Sequence, residues 1–422
     1  MKILHTSDWH LGHQFYKYER DEEFQYALRQ IVDIVSREKP DAFVLSGDVF
    51  DSPTPSTVAQ RCFTQALLAA RQACPAMAII VIAGNHDGKS FLNVNRELWA
   101  LADVHIVGLL SRSDVGEEEL GRLASDVEVL RRKFDLDSQI VRVGDKGIVV
   151  AVPHLYDMAY PYLLNPEAPA GQRRKQYFCS LMEYVDSQNP ARLPVVLMAH
   201  LAISSSDLSW HDFGMVGGLA TTPQSDFGTL YDYLALGHIH KPQNIVSDGR
   251  LARYAGSIIP ISFSEELPHS VSIVNVKAGA TTADDVAEVV IDPLYSLLTL
   301  PATPLPFDQA LQSLDVVEPD RKCYLRLHVV VDGENPLPPD ALVQVRNCLK
   351  GKMARFCEFK IETPPELAKE GQSVIADPSQ LRGMTPLQVA EYASPTPLPM
   401  DYRDMFAQVE ALMEQKKERD GD

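Results

Sequence analysis

Apolar residues in the first part of the chain alternate between two patterns. Short, mainly apolar runs occupy residues 2–7, 42–45 and 78–82. Such runs are typical of strands buried on both faces of a parallel sheet. Segments of helical periodicity lie between them, and in the first of these four apolar residues share one face: Phe24, Leu28, Ile31 and Val35. This order predicts β-α-β units and an α/β fold.

The same alternation returns further along the chain. One apolar run ends directly at His200, and another ends at the sequence Gly237–His240. Because ligands bind outside the carboxyl ends of strands in open α/β sheets, we expect the polar residues that follow the strands to meet at one edge. The charged segment 111–137 and the Pro-, Ala- and Arg-rich segment 165–174 are predicted to be irregular surface excursions.

The composition changes after about residue 292. The pattern there predicts a compact β-α-β-α-β unit, with its strands and helices in turn at 294–300, 307–314, 323–331, 339–349 and 356–361. A polar, Pro-containing linker and two terminal helices, 386–392 and 401–417, are predicted to follow. One face of the last helix carries Tyr402, Phe406, Val409 and Met413, so this helix either docks on its own chain or binds a partner.

Composition limits the class of protein. A chain of 422 residues with 45% hydrophobic and 23% charged residues can bury at least one full core, which excludes a small stapled scaffold and global disorder. The six cysteines form no CxxC pair, so we expect reduced thiols. Asp8 stands where a signal peptide needs an apolar run, and no stretch approaches the roughly 18 apolar residues of a membrane span. We therefore expect a cytoplasmic protein.

The net charge argues against autonomous, tight binding to nucleic acid. The chain has 39 Lys and Arg residues and 57 Asp and Glu residues, for a net charge of −18. Proteins that bind nucleic acid unaided usually present a basic surface. Any such contact is expected to be local, with bound cations or a basic partner offsetting the acidity.

Candidate metal ligands stand at the carboxyl ends of the predicted strands. They are Asp8, His10, Asp48, Asn85, His200, His238 and His240. Two divalent cations held about 4 Å apart need about seven carboxylate, amide and imidazole ligands, one of them shared. One cation is assigned to Asp8, His10, Asp48 and His240. The other is assigned to Asp48, Asn85, His200 and His238, so that Asp48 is the bridge.

Each of these residues alone has a simpler interpretation. A lone aspartate at a strand end usually caps a turn or helix, and the sequence His238–His240 could lie on an exposed strand edge. The sequence Gly84–Asp87 could form a turn built on Gly and Asn. Five matches in one order, all at strand ends, favour the metal site over these separate interpretations.

The ordered motifs resemble those of a known family. The pattern D-x-H, GD-x-x-D, GNHD, H and GH-x-H is realised in turn by Asp8 and His10, Asp48 and Asp51, Gly84–Asp87, His200, and His238 and His240. It resembles the calcineurin-like metallophosphoesterase superfamily over residues 1 to about 265. Narrower stretches resemble the bacterial SbcD family of nuclease subunits: 3–12, 47–51, 254–257 and 260–265. Two departures, Ala199 where Gly is usual and Ile258 where Pro is common, remove no ligand.

The resemblance implies an architecture and partners. It implies a two-sheet metallophosphoesterase sandwich flanked by helices in residues 1–290 and a small α/β capping domain in 291–363. A linker would occupy 364–385, and the helices of 386–422 would bind the coiled-coil ATPase SbcC. A homodimer within a heterotetramer is implied as well, and a helix over 91–101 could supply that contact.

The resemblance also implies an activity. It is the Mn²⁺-dependent exonucleolytic and endonucleolytic hydrolysis of DNA ends and hairpins, with iron or Zn²⁺ as alternative metals. Two rivals stay open at this point. One is a small-substrate phosphatase or phosphodiesterase on the same metal core, and the other is a non-catalytic subunit that only tethers DNA.

His86 is the candidate general acid. Cations that bind the phosphate oxygens leave the departing sugar oxygen in need of a proton, and His86 is predicted to donate it. Asp87 or Asp51 is predicted to orient that imidazole. An alternative for Asp51 is a helix cap near Thr54.

The remaining candidates have weaker signals. Tyr254, Gly256 and Ser257 are expected to shape a DNA-facing wall, unless they form a simple turn. His5 is predicted to be a satisfied core residue. His13 and His211 are assigned to surface or loop positions, with contact to substrate as the alternative for His13. Four further histidines have no partnered spacing and are given no functional role: His105, His154, His269 and His328.

Overall fold

A computed structural model describes residues 1–113, 123–165, 167–209, 221–265, 268–279 and 281–363. The chain divides into two compact units, the first spanning Met1–Leu297 and the second beginning at Leu298. Within the described ranges, no helix has both the length and the apolar composition that crossing a bilayer requires.

Two six-stranded sheets form the frame of the first unit. Across the first sheet the strands are β12 (Val286–Val290), β11 (Ser270–Asn275), β1 (Lys2–Thr6), β2 (Ala42–Ser46), β3 (Ala78–Ile82) and β4 (Val104–Val107). Across the second they are β5 (Ile140–Val143), β6 (Gly147–Ala151), β7 (Val195–His200), β8 (Tyr233–Gly237), β10 (Arg250–Tyr254) and β9 (Gln243–Ser247). Strands β1 to β4 run parallel to one another, as do β6, β7, β8 and β10. The remaining strands are antiparallel to their neighbours: β11 and β12 in the first sheet, and β5 and β9 in the second.

Six α-helices accompany these sheets in the described part of the first unit. They are α1 (Asp21–Glu38), α2 (Thr57–Ala73), α3 (Lys89–Val94), α4 (Arg96–Ala100), α5 (Asp126–Lys133) and α6 (Ala170–Ser187). Short 3₁₀ turns occupy Leu136–Gln139, Asp157–Ala159, Gln224–Phe227 and Ala283–Asp285. The helix predicted over 91–101 is interrupted at Asn95, between α3 and α4.

Alternation along the strands explains how the layers pack. Leu4 and Phe43 lie in one core cluster with Phe24 of α1, so that face of the first sheet is covered by helices. The next residues along β1 and β2, Ile3 and Val44, point the other way and pack in a second cluster with the second sheet. The predicted two-sheet sandwich with flanking helices is therefore confirmed.

The two segments predicted to be irregular surface excursions, 111–137 and 165–174, each contain helical residues, so that prediction is wrong in part. The segment 111–137 contains α5, whose Val129 and Leu130 are buried. Its many charged residues conceal this short apolar face in the sequence. The segment 165–174 contains the start of α6, and there Arg174 is buried because it pairs with carboxylates, among them Asp226 at 3.3 Å. Charge alone is a poor indicator of exposure where a partner lies elsewhere in the chain.

The second unit has its own small sheet and core. Its strands, in sheet order, are β13 (Ser296–Leu305), β14 (Cys323–Val330) and β15 (Ala354–Glu362), and its helices are α7 (Phe307–Gln312) and α8 (Ala341–Cys348). A 3₁₀ turn, Ser313–Val316, follows α7. The predicted order of strands and helices is found. The predicted linker and terminal helices, 364–422, lie outside the described residues, and the capping role stays a prediction.

Candidate metal centre

The carboxyl ends of five strands from both sheets converge on one site. Asp8 and His10 follow β1, Asp48 follows β2, and Asn85 follows β3, all in the first sheet; His200 ends β7 and His238 follows β8 in the second. Several of these residues have a left-handed backbone, with φ of 51° at Asp8, 46° at His10, 49° at Asp48 and 102° at His238. This conformation is rare for residues other than glycine and turns the chain sharply, and such strain is concentrated at functional sites.

Glycines let the loops approach each other closely. A Cβ at Gly84 would lie 2.1 Å from Asp48 Oδ1, and one at Gly47 would lie 2.3 Å from His200 Nδ1. Gly47 also has a φ of +89°, so any side chain there would be strained as well as crowded. These two glycines of the GD and GNHD motifs are therefore required by the geometry of the site.

The first donor cluster contains Asp8, His10 and His240. Each offers one ligand atom, and these atoms lie within 4.8 Å of one another. His10 is buried, yet neither of its ring nitrogens has a hydrogen bond of good geometry to any described residue. Its Nε2 lies 3.7 Å from Asp48 Oδ2 and its Nδ1 lies 3.4 Å from Asp51 Oδ1. Buried polar atoms are nearly always satisfied, so the orphaned nitrogens of His10 indicate a missing ligand.

The second cluster contains Asp48, His200 and His238, again with ligand atoms within 4.8 Å of one another. Nδ1 of His200 donates to the Ser46 carbonyl at 2.7 Å. Its Nε2 then faces two oxygen atoms, Asp48 Oδ2 at 3.2 Å and Asn85 Oδ1 at 3.0 Å. The same Asn85 oxygen lies 3.0 Å from His238 Nδ1. Lone pairs at these separations repel unless a proton or a cation lies between them.

The electrostatics of the site favour a cation. Burial alone would lower the pKa of His10, but the carboxylates of Asp51, Asp48 and Asp8 outweigh it and raise that pKa to about 9. For His200, burial again acts to lower the pKa, and the Asp48 carboxylate raises it to about 9. Burial opposes ionisation of Asp48, yet His200 and His10 hold its pKa well below the usual range. The negative charge of a buried carboxylate stabilises protonated neighbours, and it can stabilise a bound divalent cation in place of those protons.

The donor set fits two divalent metals. All seven predicted ligands lie at this site, and Asp48 reaches both clusters. Metal bonds of about 2.1 Å place ligand atoms about 3 Å apart around one ion, which is close to the observed separations. Imidazole together with carboxylate and amide oxygens suits Mn²⁺, iron or Zn²⁺ better than Mg²⁺.

Buried hydrogen bonds hold the ligands in place. Glu265 Oε1 lies 3.0 Å from His240 Nδ1, and its other oxygen accepts from Ser257 Oγ at 3.1 Å. On the opposite side, Asp8 Oδ2 accepts from Ser7 Oγ at 2.6 Å. Partners of this kind fix the tautomer and direction of metal ligands. Sequence reasoning gave Glu265 no role, because no spacing links it to His240.

His86 lies beside the first cluster. It forms a group with His10 and Asp48, and the rings of His10 and His86 stand edge to face with centroids 4.9 Å apart. Its Nδ1 donates to the backbone carbonyl of Asp51 at 3.1 Å, and its backbone N–H donates to Asp48 Oδ1 at 2.9 Å. The ring is thus oriented with Nδ1 occupied and Nε2 left to interact with a ligand.

The predicted carboxylate partner of His86 is wrong. The Asp87 carboxylate instead accepts three backbone N–H groups, from Val49, Phe50 and Gly84, and so joins the two loops. Burial and the Asp48 charge raise the pKa of Asp87 to about 6. The Asp51 carboxylate faces His10, and only its carbonyl meets His86. Asp51 does not cap α2 either, because the N-cap is Ser56.

The predicted DNA-facing wall is also wrong. The hydroxyl of Tyr254 is buried, donating to the Leu201 carbonyl and accepting from the Ile203 N–H, both at 2.9 Å. Ser257 is fully buried beneath Glu265. Gly256 has a φ of +80°, and a Cβ there would lie 2.5 Å from the His240 carbonyl. Tyr254 ends β10, and Gly256 and Ser257 lie in the segment after it, so these residues support the metal centre from inside the protein.

The structure confirms the prediction for His5 and gives His154 a contact that the sequence did not predict. His5 is a satisfied core residue, as predicted, since its ring nitrogens contact Tyr233 Oη at 2.9 Å and Ser46 Oγ at 3.1 Å. His154 was assigned no role, yet its Nδ1 donates to the His200 carbonyl at 3.0 Å. His211 lies outside the described residues.

Comparisons with known proteins identify the family of the chain. Residues 1–242, more than half of the chain, match the family model for the calcineurin-like phosphoesterases. The SbcD component of the SbcCD nuclease of Rhodobacter capsulatus is 29% identical over 340 residues, covering 76% of this chain and 77% of that protein. The corresponding SbcCD component of Escherichia coli is 31% identical over 275 residues, covering 63% of this chain and 62% of that one. A solved structure of phosphopantetheinyl hydrolase from Mycobacterium tuberculosis aligns with a TM-score of 0.35 and 13% identity, covering 70% of this chain and 98% of that chain. The predicted resemblance is confirmed, and the chain belongs to the calcineurin-like phosphoesterase family.

Proposed function

We propose that the protein is a metal-dependent DNA nuclease, the catalytic subunit of an SbcCD-type complex that hydrolyses phosphodiesters at DNA ends and hairpins. The observation that carries this proposal is the pair of donor clusters joined by the buried carboxylate of Asp48, which belongs to the second cluster and lies 3.7 Å from Nε2 of His10 in the first. Relatives named as the SbcD component of the SbcCD nuclease align with most of the chain, which favours DNA over small phosphoesters as the substrate.

The chain's own residues divide the work. Asp8, His10, Asp48 and His240 would hold one cation, and Asp48, Asn85, His200 and His238 the other. When bound, the cations stabilise charge on the phosphate oxygens and lower the pKa of a water molecule. His86, with Nδ1 fixed on the Asp51 carbonyl, is placed to give a proton to the departing sugar oxygen from Nε2.

Mn²⁺ is the proposed metal, with iron or Zn²⁺ as alternatives. The seven donors are nitrogen and oxygen atoms with no thiolate, and four of them are imidazoles. Imidazole-rich sites of this kind select transition metals over Mg²⁺ and Ca²⁺.

The proposed partners follow from charge and from exposed apolar surface. At a net charge of −18 the chain needs another subunit to supply most phosphate contacts, and an SbcC-type ATPase bound through residues 386–422 is proposed for that role. Leu98 and Leu101, at and just beyond α4, are 67% and 87% exposed, which favours a homodimer formed through this surface within a heterotetramer. We place the complex in the cytoplasm, with residues 1–290 as the nuclease domain and 291–363 as its cap.

The test is a substrate comparison with the full chain, together with any ATPase that co-purifies. With Mn²⁺, single-stranded DNA and hairpins should be cleaved far faster than small phosphomonoesters, and a chelator should abolish cleavage. Hydrolysis of small phosphoesters alone would instead identify a metallophosphatase. Metal binding without any hydrolysis would identify a tethering subunit.

A further inference from the structure

A second set of side chains lies beside the metal centre without belonging to it. We call Lys89, Tyr156 and His154 the rim cluster. The backbone N–H of His154 donates to the Ala83 carbonyl at 2.8 Å, and its Nδ1 donates to the His200 carbonyl at 3.0 Å. His154 is therefore fixed between the loop that carries Asn85 and the strand end that carries His200.

Tyr156 contacts the other two side chains. The rings of His154 and Tyr156 stand edge to face, with centroids 5.0 Å apart and an interplanar angle of 87°. The ammonium of Lys89, at the start of α3, lies 4.9 Å from the centre of the Tyr156 ring. The cluster borders the second donor cluster, because the ring centroids of His154 and His200 lie 6.1 Å apart.

Two members present a surface to a ligand, and the third holds them in place. Nε2 of His154 is buried, with no hydrogen-bond partner among the described residues, so this ring positions its neighbours rather than contacting a nucleotide. Tyr156 is 64% exposed, a large aromatic surface at the edge of a catalytic site. Lys89 is half-buried, and no carboxylate in the described ranges pairs with it, although the chain as a whole is strongly acidic.

We propose that the rim cluster binds the nucleotide adjacent to the scissile phosphate. Its base would stack on Tyr156, its backbone phosphate would contact the Lys89 ammonium, and the His154 ring would hold Tyr156 in place beside the metal centre. An exposed aromatic ring beside an unpaired cation is the combination with which proteins bind single strands. This inference rests on the proposed nuclease function and names the part of the substrate that the enzyme contacts beyond the phosphate.

The first test pairs a protein variant with a modified substrate. Tyr156→Ala should lower kcat/KM on single-stranded DNA by roughly tenfold, the order expected for loss of one base–aromatic stack. Tyr156→Phe should retain activity. The second change is a substrate that lacks the base on one side of the cleaved bond. The wild type should cut it roughly tenfold more slowly than intact DNA, whereas Tyr156→Ala should cut it and intact DNA at the same rate. Hydrolysis of a small phosphodiester without a nucleobase should fall far less in this variant.

The second test measures phosphate contact. Lys89→Met should reduce the slope of log KM against log salt by about 0.7, the value for one contact on a single strand. Tyr162→Ala and Lys146→Ala are matched controls, because Tyr162 is 40% exposed but packs against Arg173, and Lys146 precedes the amino end of β6. Both controls should behave as wild type in these assays.

The outcomes separate this inference from the proposed function. If the wild type cleaves DNA and neither the missing base nor Tyr156→Ala changes the rate, the rim cluster does not bind a nucleotide. If Tyr156→Ala lowers ATPase co-purification but not cleavage, the cluster is a partner contact and the inference is wrong. If the wild type hydrolyses only small phosphoesters, the proposed function itself fails.

Discussion

Glu265 Oε1 lies 3.0 Å from Nδ1 of His240, inside a buried network that also includes the Ser257 hydroxyl. Burial opposes ionisation of Glu265, but His240 holds its pKa below the usual range, so the carboxylate is charged at neutral pH. A charged acceptor on Nδ1 fixes the proton there and makes Nε2 the metal-binding nitrogen.

Replacing this carboxylate should weaken the metal site. Glu265→Gln should raise the Kd for Mn²⁺ at the site that includes His240 by about 10- to 100-fold, the usual cost of losing a partner of a metal-ligating histidine. Isothermal titration calorimetry on the chelator-treated chain measures this. Glu288→Gln is the control, because Glu288 lies on the edge strand β12 and pairs there with Arg253 of β10. An unchanged Kd in Glu265→Gln would mean that the network does not support the ligand.

Sequence pattern was sufficient to predict that the seven candidate ligands lie together, because each one stands at or just after the end of an apolar strand. The parallel sheets bring such ends together, and Asp8 and His240 meet although they are far apart in the chain. Residues whose partners lie on unrelated loops have no such signal. Glu265 and His154 act through single contacts that only the folded chain creates.

The length of the apolar face decided which helices could be predicted from the sequence. Periodicity identified α1 because its apolar face is long, with Phe24 and Ile31 both buried. It missed α5, whose buried face comprises only Val129 and Leu130 among charged neighbours. The role of Asp87 was misassigned because sequence proximity to His86 suggested a side-chain pair, whereas the carboxylate accepts backbone N–H groups.

His86 should affect chemistry without affecting metal content. His86→Ala should lower kcat on DNA by about 10²- to 10⁴-fold, because a general acid contributes on that scale. Elemental analysis should find the same metal content as in the wild type, since the seven proposed ligands are intact.

The choice of leaving group distinguishes general acid catalysis from a structural role. A phosphodiester with a nitrophenolate leaving group needs no protonation, so His86→Ala should hydrolyse it with a much smaller loss. Equal losses on DNA and on this substrate would contradict the assignment of His86 as the acid.

His5 should make the fold sensitive to acid. Burial and the nearby Arg253 lower the pKa of His5 to about 3, compared with an ordinary value of 6.5 in the unfolded chain. Between these values the unfolded state binds a proton that the folded state does not, so the free energy of unfolding falls as pH falls from 6.5 towards 3. The contribution of this residue should approach about 1.4 kcal/mol per pH unit.

Urea unfolding in the presence of a chelator measures this term. His5→Gln removes the titrating ring and should flatten the pH dependence relative to the wild type, whatever its stability at neutral pH. His105→Gln, which replaces a partly exposed histidine paired with Asp103, is the control. An identical pH slope in wild type and His5→Gln would contradict the expected linkage.

The last helix predicted from the sequence should connect the chain to its ATPase. Residues 401–422 lie outside the described residues, and their apolar face contains Tyr402 and Phe406. Deleting this segment should abolish co-purification of the ATPase while leaving hydrolysis of a small phosphodiester near the wild-type rate. A matched variant with Tyr402→Asp and Phe406→Asp should give the same result if the apolar face is the contact. Retained association in both variants would place the partner site elsewhere.

Gly84 offers the sharpest steric test of the metal centre. A methyl group there would lie 2.1 Å from Asp48 Oδ1 and 2.3 Å from the Asp48 backbone nitrogen, so the shared carboxylate would have to move. Gly84→Ala should therefore reduce bound metal from two ions to one or none, lower kcat on DNA by at least about 10²-fold, and lower the Tm. Gly333→Ala is the control, because nothing lies within 4 Å of a Cβ at that position. Elemental analysis and a thermal scan on the two variants measure these effects. Full metal content in Gly84→Ala would contradict the prediction, because it would show that the Asp48 carboxylate can move aside without loss of metal.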